Sequence, residues 1–430
     1  MHDDTQSAAD TGGARQALRT PGFGRLAVAS LVNELGNWLG EIALAVVVYD
    51  QTGDPVAVAA LFVAMQFVPA MATPPVVARL DALHTRRALP LLYFTEAAAF
   101  FALAFLAHDG AFVLAGVLAI AALDGTLATA ARARTRVAAA DILEPRGLLR
   151  KGNGILNIGV TAGAAVGPAI AGVLVATAGT QAALFADGAS FVAVGLLLAT
   201  SAALPAAHAE ETGGWLDRMR RGFTYVRERT ALRRLLAAQS VAFVFFALVL
   251  PIEVAFAKDT LDAGDLGYGL LLASWGVGMV IGSIVFTWVR ASLPALLVGG
   301  TLGIGLAYSL TAVSPTLALA CAASVVGGVG NGVQWVAVIT AAQELTERPY
   351  QARVVGLLES LASGFSGVGF LAGGAIAAML SPRASFAVAG AGVLVVLAIA
   401  VLTLRGVRWE RSADDVETSS SPEVRPIPVA

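Results

Sequence analysis

Glu34, Asn37 and Glu41 follow one another at spacings of three and four in the stretch SLVNELGNWLGEIALAVVVYD. A helix turns about 100° per residue, so these three side chains fall within about 60° of one face, with Asn33 at its edge. The rest of the stretch is apolar enough to cross a bilayer. A charged side chain at mid-membrane costs on the order of 2.5 to 3.5 kcal/mol on insertion scales, so acids there turn toward protein or water and are candidates for function. Loss of water disfavours the charged form of a carboxyl, the property needed to load and release a proton near neutral pH. Glu34 and Glu41 are therefore the first candidates for proton coupling. The plainer alternative is that they hydrogen-bond neighbouring helices.

Other polar groups in apolar surroundings are fewer. Asp124 sits near the middle of a fourth apolar stretch and is the next coupling candidate, with Arg132 toward that stretch's inner end. Arg132, Arg134 and Arg136 as a group read as interfacial anchors. Glu96 lacks polar neighbours in sequence, Asp187 and Glu253 lie near outer ends, and Glu344 and Glu359 near inner ends. Snorkelling or interface contacts account for most of these. Asn331, Gln334 and Trp335 form a polar and aromatic group that could meet a substrate or bond helices together, two readings of equal weight. Asn33 and Asn37 are the matching substrate candidates on the first stretch.

Several chemistries are missing. GGVGNG at 327–332 lies inside an apolar run rather than at a strand-to-helix turn, so it reads as helix packing. No G-x-x-x-x-G-K-[ST] phosphate loop occurs, which argues against ATP hydrolysis. His2, His84, His108 and His208 have no ligand spacing, and no Asp-rich diphosphate motif appears. Neither a cofactor nor a metal is expected, and the chain does not read as an enzyme. The one cysteine, Cys321, rules out an internal disulfide framework and reads as a small buried side chain.

The elements that must position these groups are membrane helices. Hydrophobic residues make up 57% of the chain and charged residues 13%, against about 25% charged in ordinary globular proteins. The mean hydropathy is +0.75. Apolar stretches of spanning length, about 17 to 25 residues, run over 24–49, 55–78, 88–107, 111–131, 153–177, 182–203, 233–257, 267–289, 293–312, 316–341, 354–379 and 384–404. Of the 28 Lys and Arg residues, all but Lys258 and Arg383 fall on one side when these spans are threaded in order. The positive-inside rule then puts both termini in the cytoplasm. The net charge of −2 gives no reason to expect a nucleic-acid partner.

The chain divides near its middle. A tail over 1–22 precedes a six-helix half at 23–203, a polar linker at 204–232, a second six-helix half at 233–405 and a polar tail at 406–430 that reads as disordered. The N-terminal tail shows no short apolar core with a cleavage site, so the first span serves as the insertion signal. In the linker Trp215, Met219, Phe223 and Val226 recur at helical spacing among arginines, which suggests an amphipathic helix on the inner membrane face. GAAVGPAIA from Gly163 and GFLAGGAIA from Gly369 share the pattern G-x-x-x-G-x-A-I-A, six spans apart. Such an echo is the signature of duplicated halves around a central site.

The segments SLVNELGNWLGEIALAVVVYDQTGDPVAVA, LLRKGNGILNIGVTAGAAVGPAIAGVLVATAG, DGASFVAVGLLL, FTYVRERTALRRLL and AAQELTERPYQARVVGLLESL together resemble the major facilitator superfamily. More closely, they resemble its proton-linked drug exporters, including macrolide efflux proteins and enterobactin-type siderophore exporters. The resemblance covers most of 23–404. It implies an all-α integral membrane fold of twelve transmembrane helices in two six-helix bundles, with spans 1, 4, 7 and 10 around a cavity. It also implies that Gly163, Gly167, Pro168 and Gly172 form the antiporter motif of the fifth span. Arg86 and Arg87 match the conserved loop between spans 2 and 3, but that loop reads ARLDALHTRRA, with Ala82 where the acidic residue belongs and Asp81 one position early. Asn37 stands where the branch often has Asp, so Glu34 or Glu41 would take over its role.

The expected function is a monomeric secondary exporter of an amphipathic or hydrophobic small molecule, driven by protons, in a bacterial inner membrane. An uptake permease, a lysolipid flippase or a non-transporting membrane sensor are the alternatives.

Overall fold

The computed structural model describes residues 13–80, 85–108, 110–201, 204, 223–347 and 350–403. Among them are twelve helices long and apolar enough to cross a membrane, and no strand. They are α1 (Phe23–Thr52), α2 (Pro55–Phe62, carried by a π-helical turn Val63–Phe67 into Val68–Leu80), α3 (Thr85–Leu106), α4 (Leu114–Leu143), α5 (Leu149–Ala178) and α6 (Thr180–Ala199). The second set is α7 (Thr230–Ala247, then short turns to Thr260), α8 (Gly264–Trp288), α9 (Leu293–Val313), α10 (Leu317–Glu344), α11 (Gln351–Met379) and α12 (Pro382–Thr403).

Two ends differ from the sequence expectation. α4 runs well past 131, because Ala138 and Ala139 bury completely against neighbouring helices and good helix formers carry the arginine-bearing segment onward. α7 breaks near its C-terminal end, where Pro251 sits in a 3₁₀ turn and a π-helical turn follows at Phe256–Thr260. A proline cannot donate to the helix ladder, which explains the interruption. The expected linker helix lies mostly outside the described residues, Trp215 and Met219 included. Residues 223–228 are helical, with Val226 buried and Phe223 exposed. Tyr225 stacks on Tyr350 at 4.2 Å and accepts a hydrogen bond from Glu347 N at 3.0 Å, fixing this segment to the start of α11.

The short α1–α2 connection is determined locally. Gly53 adopts a left-handed conformation and its N–H returns to Tyr49 O at 2.7 Å, closing α1. Asp54 then accepts from Val56 N at 2.8 Å with Pro55 in the first turn, opening α2.

α1 packs on α5 and α6, α3 on α4 and α6, and α2 on α4; in the second set α8 and α9 pack on α10, and α7 and α9 on α12. Two seams join the sets: α5 against α8 and α2 against α11. The repeated glycine pattern explains both. In α5, a Cβ at Gly163 would lie 3.1 Å from Glu34 Cβ and one at Gly167 2.8 Å from Trp38, so both face α1. In α11, Gly369 and Gly373 face the backbone of Val244 and Leu248 at the end of α7. Beyond each pair a further glycine faces the other half: Gly172 lies against Gly269 of α8, and Gly374 against Pro55 and Ala59 of α2. The echo is thus a repeated set of helix contacts, first helix of its own half and second helix of the other.

The ends of the seams differ. At the end away from most Lys and Arg residues, Lys258 donates to Asp50 at 2.5 Å and to Asp265 at 2.8 Å, and Tyr49 donates to Asp259. These contacts tie α1 to the α7 extension and α8. The two basic residues that break the charge asymmetry both have partners here, since Arg383 donates to Ala312 O at 2.8 Å and lies over the Phe256 ring. Toward the basic end, a Cβ at Gly154 or Gly356 would meet nothing within 4 Å among the described residues. The central seam is tied at the opposite end by ion pairs and hydrogen bonds.

Each ion pair of Lys258 is partly exposed, so singly they contribute about 0–1 kcal/mol. Their effect is on the balance of conformations. Lys258→Ala should lengthen the distance between spin labels on the C-terminal end of α1 and the N-terminal end of α8, while Lys258→Arg keeps the wild-type distribution. An unchanged distribution in Lys258→Ala would show that the glycine seam alone holds this end.

Candidate functional site

Glu34 lies midway along α1, against Gly163 of α5, and its carboxylate stands 3.9 Å from Arg132 of α4. The Arg132 side chain is 47% exposed while that of Glu34 is 10% exposed. A guanidinium is costly in lipid, so the pair marks a polar opening inside the first half. Arg136 also acts on Glu34 electrostatically. Arg134, two residues from both Arg132 and Arg136 and so on the other side of α4, is 5% exposed, so the three arginines are not alike as anchors. Arg86 and Arg87 are exposed at the start of α3, and Asp81 and Ala82 lie outside the described residues.

Glu41, two turns along α1, is partly buried. It lies within electrostatic reach of Arg132 and also of Glu253 and Tyr268 from the second half. Glu253 is 9% exposed and its Oε2 has no hydrogen-bond partner. α1 thus carries one acid toward α4 of its own half and another toward the interrupted end of α7. Asn33 is buried and Asn37 partly so; Asn33 Oδ1 and Asn37 Nδ2 lack protein partners.

Behind α1 is a second group of acids. Asp187 of α6 presses its carboxylate on Gly36 and Gly40, on the side of α1 turned away from Glu34. It is electrostatically coupled to Asp124 of α4, and both act on Glu96 of α3. Glu96 and Asp187 are fully buried and Asp124 is 5% exposed. Both carboxylate oxygens of Glu96, Oδ1 of Asp124 and Oδ2 of Asp187 lack hydrogen-bond partners, while Ser190 donates to Asp187 Oδ1 at 3.3 Å. Arg132 acts electrostatically on Asp124 and Glu96 as well as on Glu34, so it is the cation common to both groups of acids, while burying several carboxylates together remains costly. Only glycine at 36 leaves room for Asp187. Gly36→Ala should lower stability by about 1–3 kcal/mol, read as a lower melting temperature in detergent. A combined Gly36→Ala, Asp187→Ser variant should recover part of it, and no loss in the single variant would refute the close fit.

In the second half, Gln334 is buried and donates through Nε2 to Gln239 Oε1 of α7 at 2.7 Å. It bonds α10 to α7. Trp335 meets Phe243 edge-on at 6.2 Å, and Asn331 is partly exposed one turn away. The glycines of GGVGNG are helical and packed: Gly327 and Gly328 lie on Trp275 of α8, and a Cβ at Gly330 would lie 2.6 Å from Gly300 O of α9.

The family model described as transmembrane secretion effector, within the major facilitator group, matches residues 13–426. The chain belongs to this family. Among curated proteins, none matches the sequence. The fold is similar to solved transporters. The nucleoside transporter NupG superposes with a TM-score of 0.73 at 12% identity, covering 90% of this chain and 99% of that one. A POT family transporter in complex with 5-aminolevulinic acid gives 0.72 at 12% identity, with 89% and 95% covered. A bacterial homologue of the human lysosomal transporter Spinster, inward-facing and unoccupied, gives 0.68 at 13% identity, with 89% and 97% covered. The protein is a multi-pass membrane transporter of the major facilitator type.

Within that family fold the structure brings Glu34 to Arg132, and groups Asp124 with Glu96 and Asp187 behind α1, with Arg132 acting on Asp124 and Glu96 as well. Sequence reasoning gave Glu96 and Asp187 little weight, and it passed over Gln239, the partner of Gln334. The usable signal for the acids was burial cost alone, since each stands by itself among apolar residues in its own helix.

Proposed function

We propose that this transporter exports an amphipathic or hydrophobic small molecule, a drug, antibiotic or siderophore-like compound, in exchange for protons. Both termini face the cytoplasm, the site opens to either side in turn, and the protein acts as a monomer in the inner membrane. The observation that carries the reading is the Glu34–Arg132 pair, a mostly buried carboxylate facing an exposed guanidinium across the α1–α4 boundary. A proton arriving at Glu34 removes its attraction for Arg132 and frees α4 to shift against α1. Loss of the proton restores the pair. Glu41 provides the same chemistry closer to the second half, beside Glu253, and Asp124 holds a proton in the group behind α1. Asn33, Asn37, Asn331 and Trp335 line the path of the substrate, with Gln334 holding α10 in register through Gln239. Gly163, Gly167, Pro168 and Gly172 give α5 the close approach to α1 and α8 on which the exchange between states depends.

The test is reconstitution in liposomes carrying a pH-sensitive dye, with an imposed pH gradient and a panel of amphipathic drugs and siderophore-like compounds. Substrate-induced proton flux that disappears in the Glu34→Gln, Glu41→Gln double variant supports the proposal. Substrate accumulation in place of extrusion would make the protein an uptake permease. Absence of any flux with folded protein would reject proton antiport.

A further inference from the structure

At the basic end of the second half, α7 and α12 part to leave a groove of about 550 Å³ on the outside of the bundle. Its walls are Ala237, Ala238 and Val241 of α7 and Val396, Ile399 and Ala400 of α12, with Arg234 and Thr403 at its mouth. Val241, Ile399 and the adjacent Leu402 are exposed, as expected of side chains that meet acyl chains. The alanines leave the space: larger residues at 237, 238 and 400 would close it.

Among the described residues the mouth is positive. Arg234 donates through Nη1 to Thr403 O at 2.9 Å, and the neighbouring Arg233 donates to Arg227 O at 3.0 Å. A guanidinium has five N–H donors, so each arginine retains several for another acceptor. Neither has an acidic partner among the described residues, whereas Arg229 nearby is engaged by Glu347 and stacked over Tyr225. The chain after Thr403 continues LRGVRWER, with three arginines against one glutamate, and then SADDVETSSSPEVRPIPVA, with four acids against one arginine, so the tail is itself a candidate competitor for the mouth.

We propose that this groove binds an anionic phospholipid, its phosphodiester on Arg234 and Arg233 and one acyl chain along the alanine-floored channel. Arginine forks match phosphate oxygens in pairs, and basic pockets between membrane helices suit anionic headgroups. A zwitterionic lipid brings an ammonium group to a mouth that already holds the Arg234 guanidinium, with Arg233 next to it in sequence, so a net negative headgroup is favoured. The site stands apart from the central path and does not rest on the proton-exchange reading.

The experiment is native mass spectrometry of the full chain, delipidated and titrated with phosphatidylglycerol or phosphatidylcholine. The expected result is retention of phosphatidylglycerol over phosphatidylcholine, reduced about tenfold or more by Arg234→Ala and largely kept by Arg234→Lys. Ala237→Phe, which fills the channel without touching a charge, should reduce it as well, with melting temperatures showing that both variants remain folded. Equal retention of the two lipids, undiminished retention in both variants, or competition by inorganic phosphate alone would overturn the proposal. So would a chain ending at Thr403 that binds more phosphatidylglycerol than the full chain, since its own tail would then be the occupant.

Discussion

Gly269→Leu is expected to abolish substrate-driven flux, by more than about tenfold, while the protein still inserts and its helices remain intact. A Cβ at 269 would stand 2.6 Å from Gly172 Cα and 2.8 Å from Pro168 O, and both of those are main chain. A crowded side chain can change rotamer, but a crowded backbone moves only with its helix. The added bulk therefore separates α5 from α8 where the two halves close, and a carrier that cannot close one end cannot exchange states. Gly269→Ala should give an intermediate loss. Gly299→Leu is the control, since a Cβ at 299 meets nothing within 4 Å. The readouts are flux in liposomes and the distance between labels on the C-terminal end of α5 and the N-terminal end of α8. Wild-type flux with a wild-type distance in Gly269→Leu would show that the seam does not set closure.

The second large effect is at Glu34. Glu34→Gln mimics the protonated side chain permanently, so gradient-driven transport should fall by about tenfold or more. Exchange of labelled for unlabelled substrate without a gradient should persist, because it requires movement between states and no net proton transfer. Arg132→Gln removes the paired guanidinium and leaves Glu34, 10% exposed, with only the more weakly acting Arg136 as a cation. Taking one partner from a buried pair costs about 3–5 kcal/mol, less where one partner is half exposed as here. Arg132→Gln should therefore reduce both stability and exchange. If Glu34 merely braced Arg132, the two variants would behave alike, with exchange and coupled flux falling together. The contrast between them separates a proton carrier from a strut.

How much of this was legible in the residues depended on distance along the chain. The polar face of α1 could be read directly because its members lie within eight positions, where helical periodicity applies. Twelve spans were legible from hydropathy, and the repeated glycine pattern from simple comparison. Which helix each glycine faced was not, since a glycine records that something approaches closely and leaves out what. The acids Glu96, Asp124 and Asp187 sit on three helices and meet only after folding. Singly, each resembles an isolated polar residue that a snorkelling or interface contact would explain. Gln239 escaped notice because a neutral amide in an apolar helix is unremarkable until its partner is located. Lys258 was visible as an exception to the charge asymmetry, but its bonds to Asp50 and Asp265 depend on the break in α7 that brings the chain around.

The glycine contact between α5 and α8 also sets a time scale. A gate made of side chains can open by rotamer changes in picoseconds to nanoseconds, letting small ions leak while the rest of the molecule stays still. Where Gly172 meets Gly269 there is no side chain to rotate. That part of the seam opens only when a whole helix moves, on the microsecond to millisecond scale of collective motion. Such a seam resists brief, uncoupled openings, so a membrane containing this protein can keep its ion gradients between transport cycles.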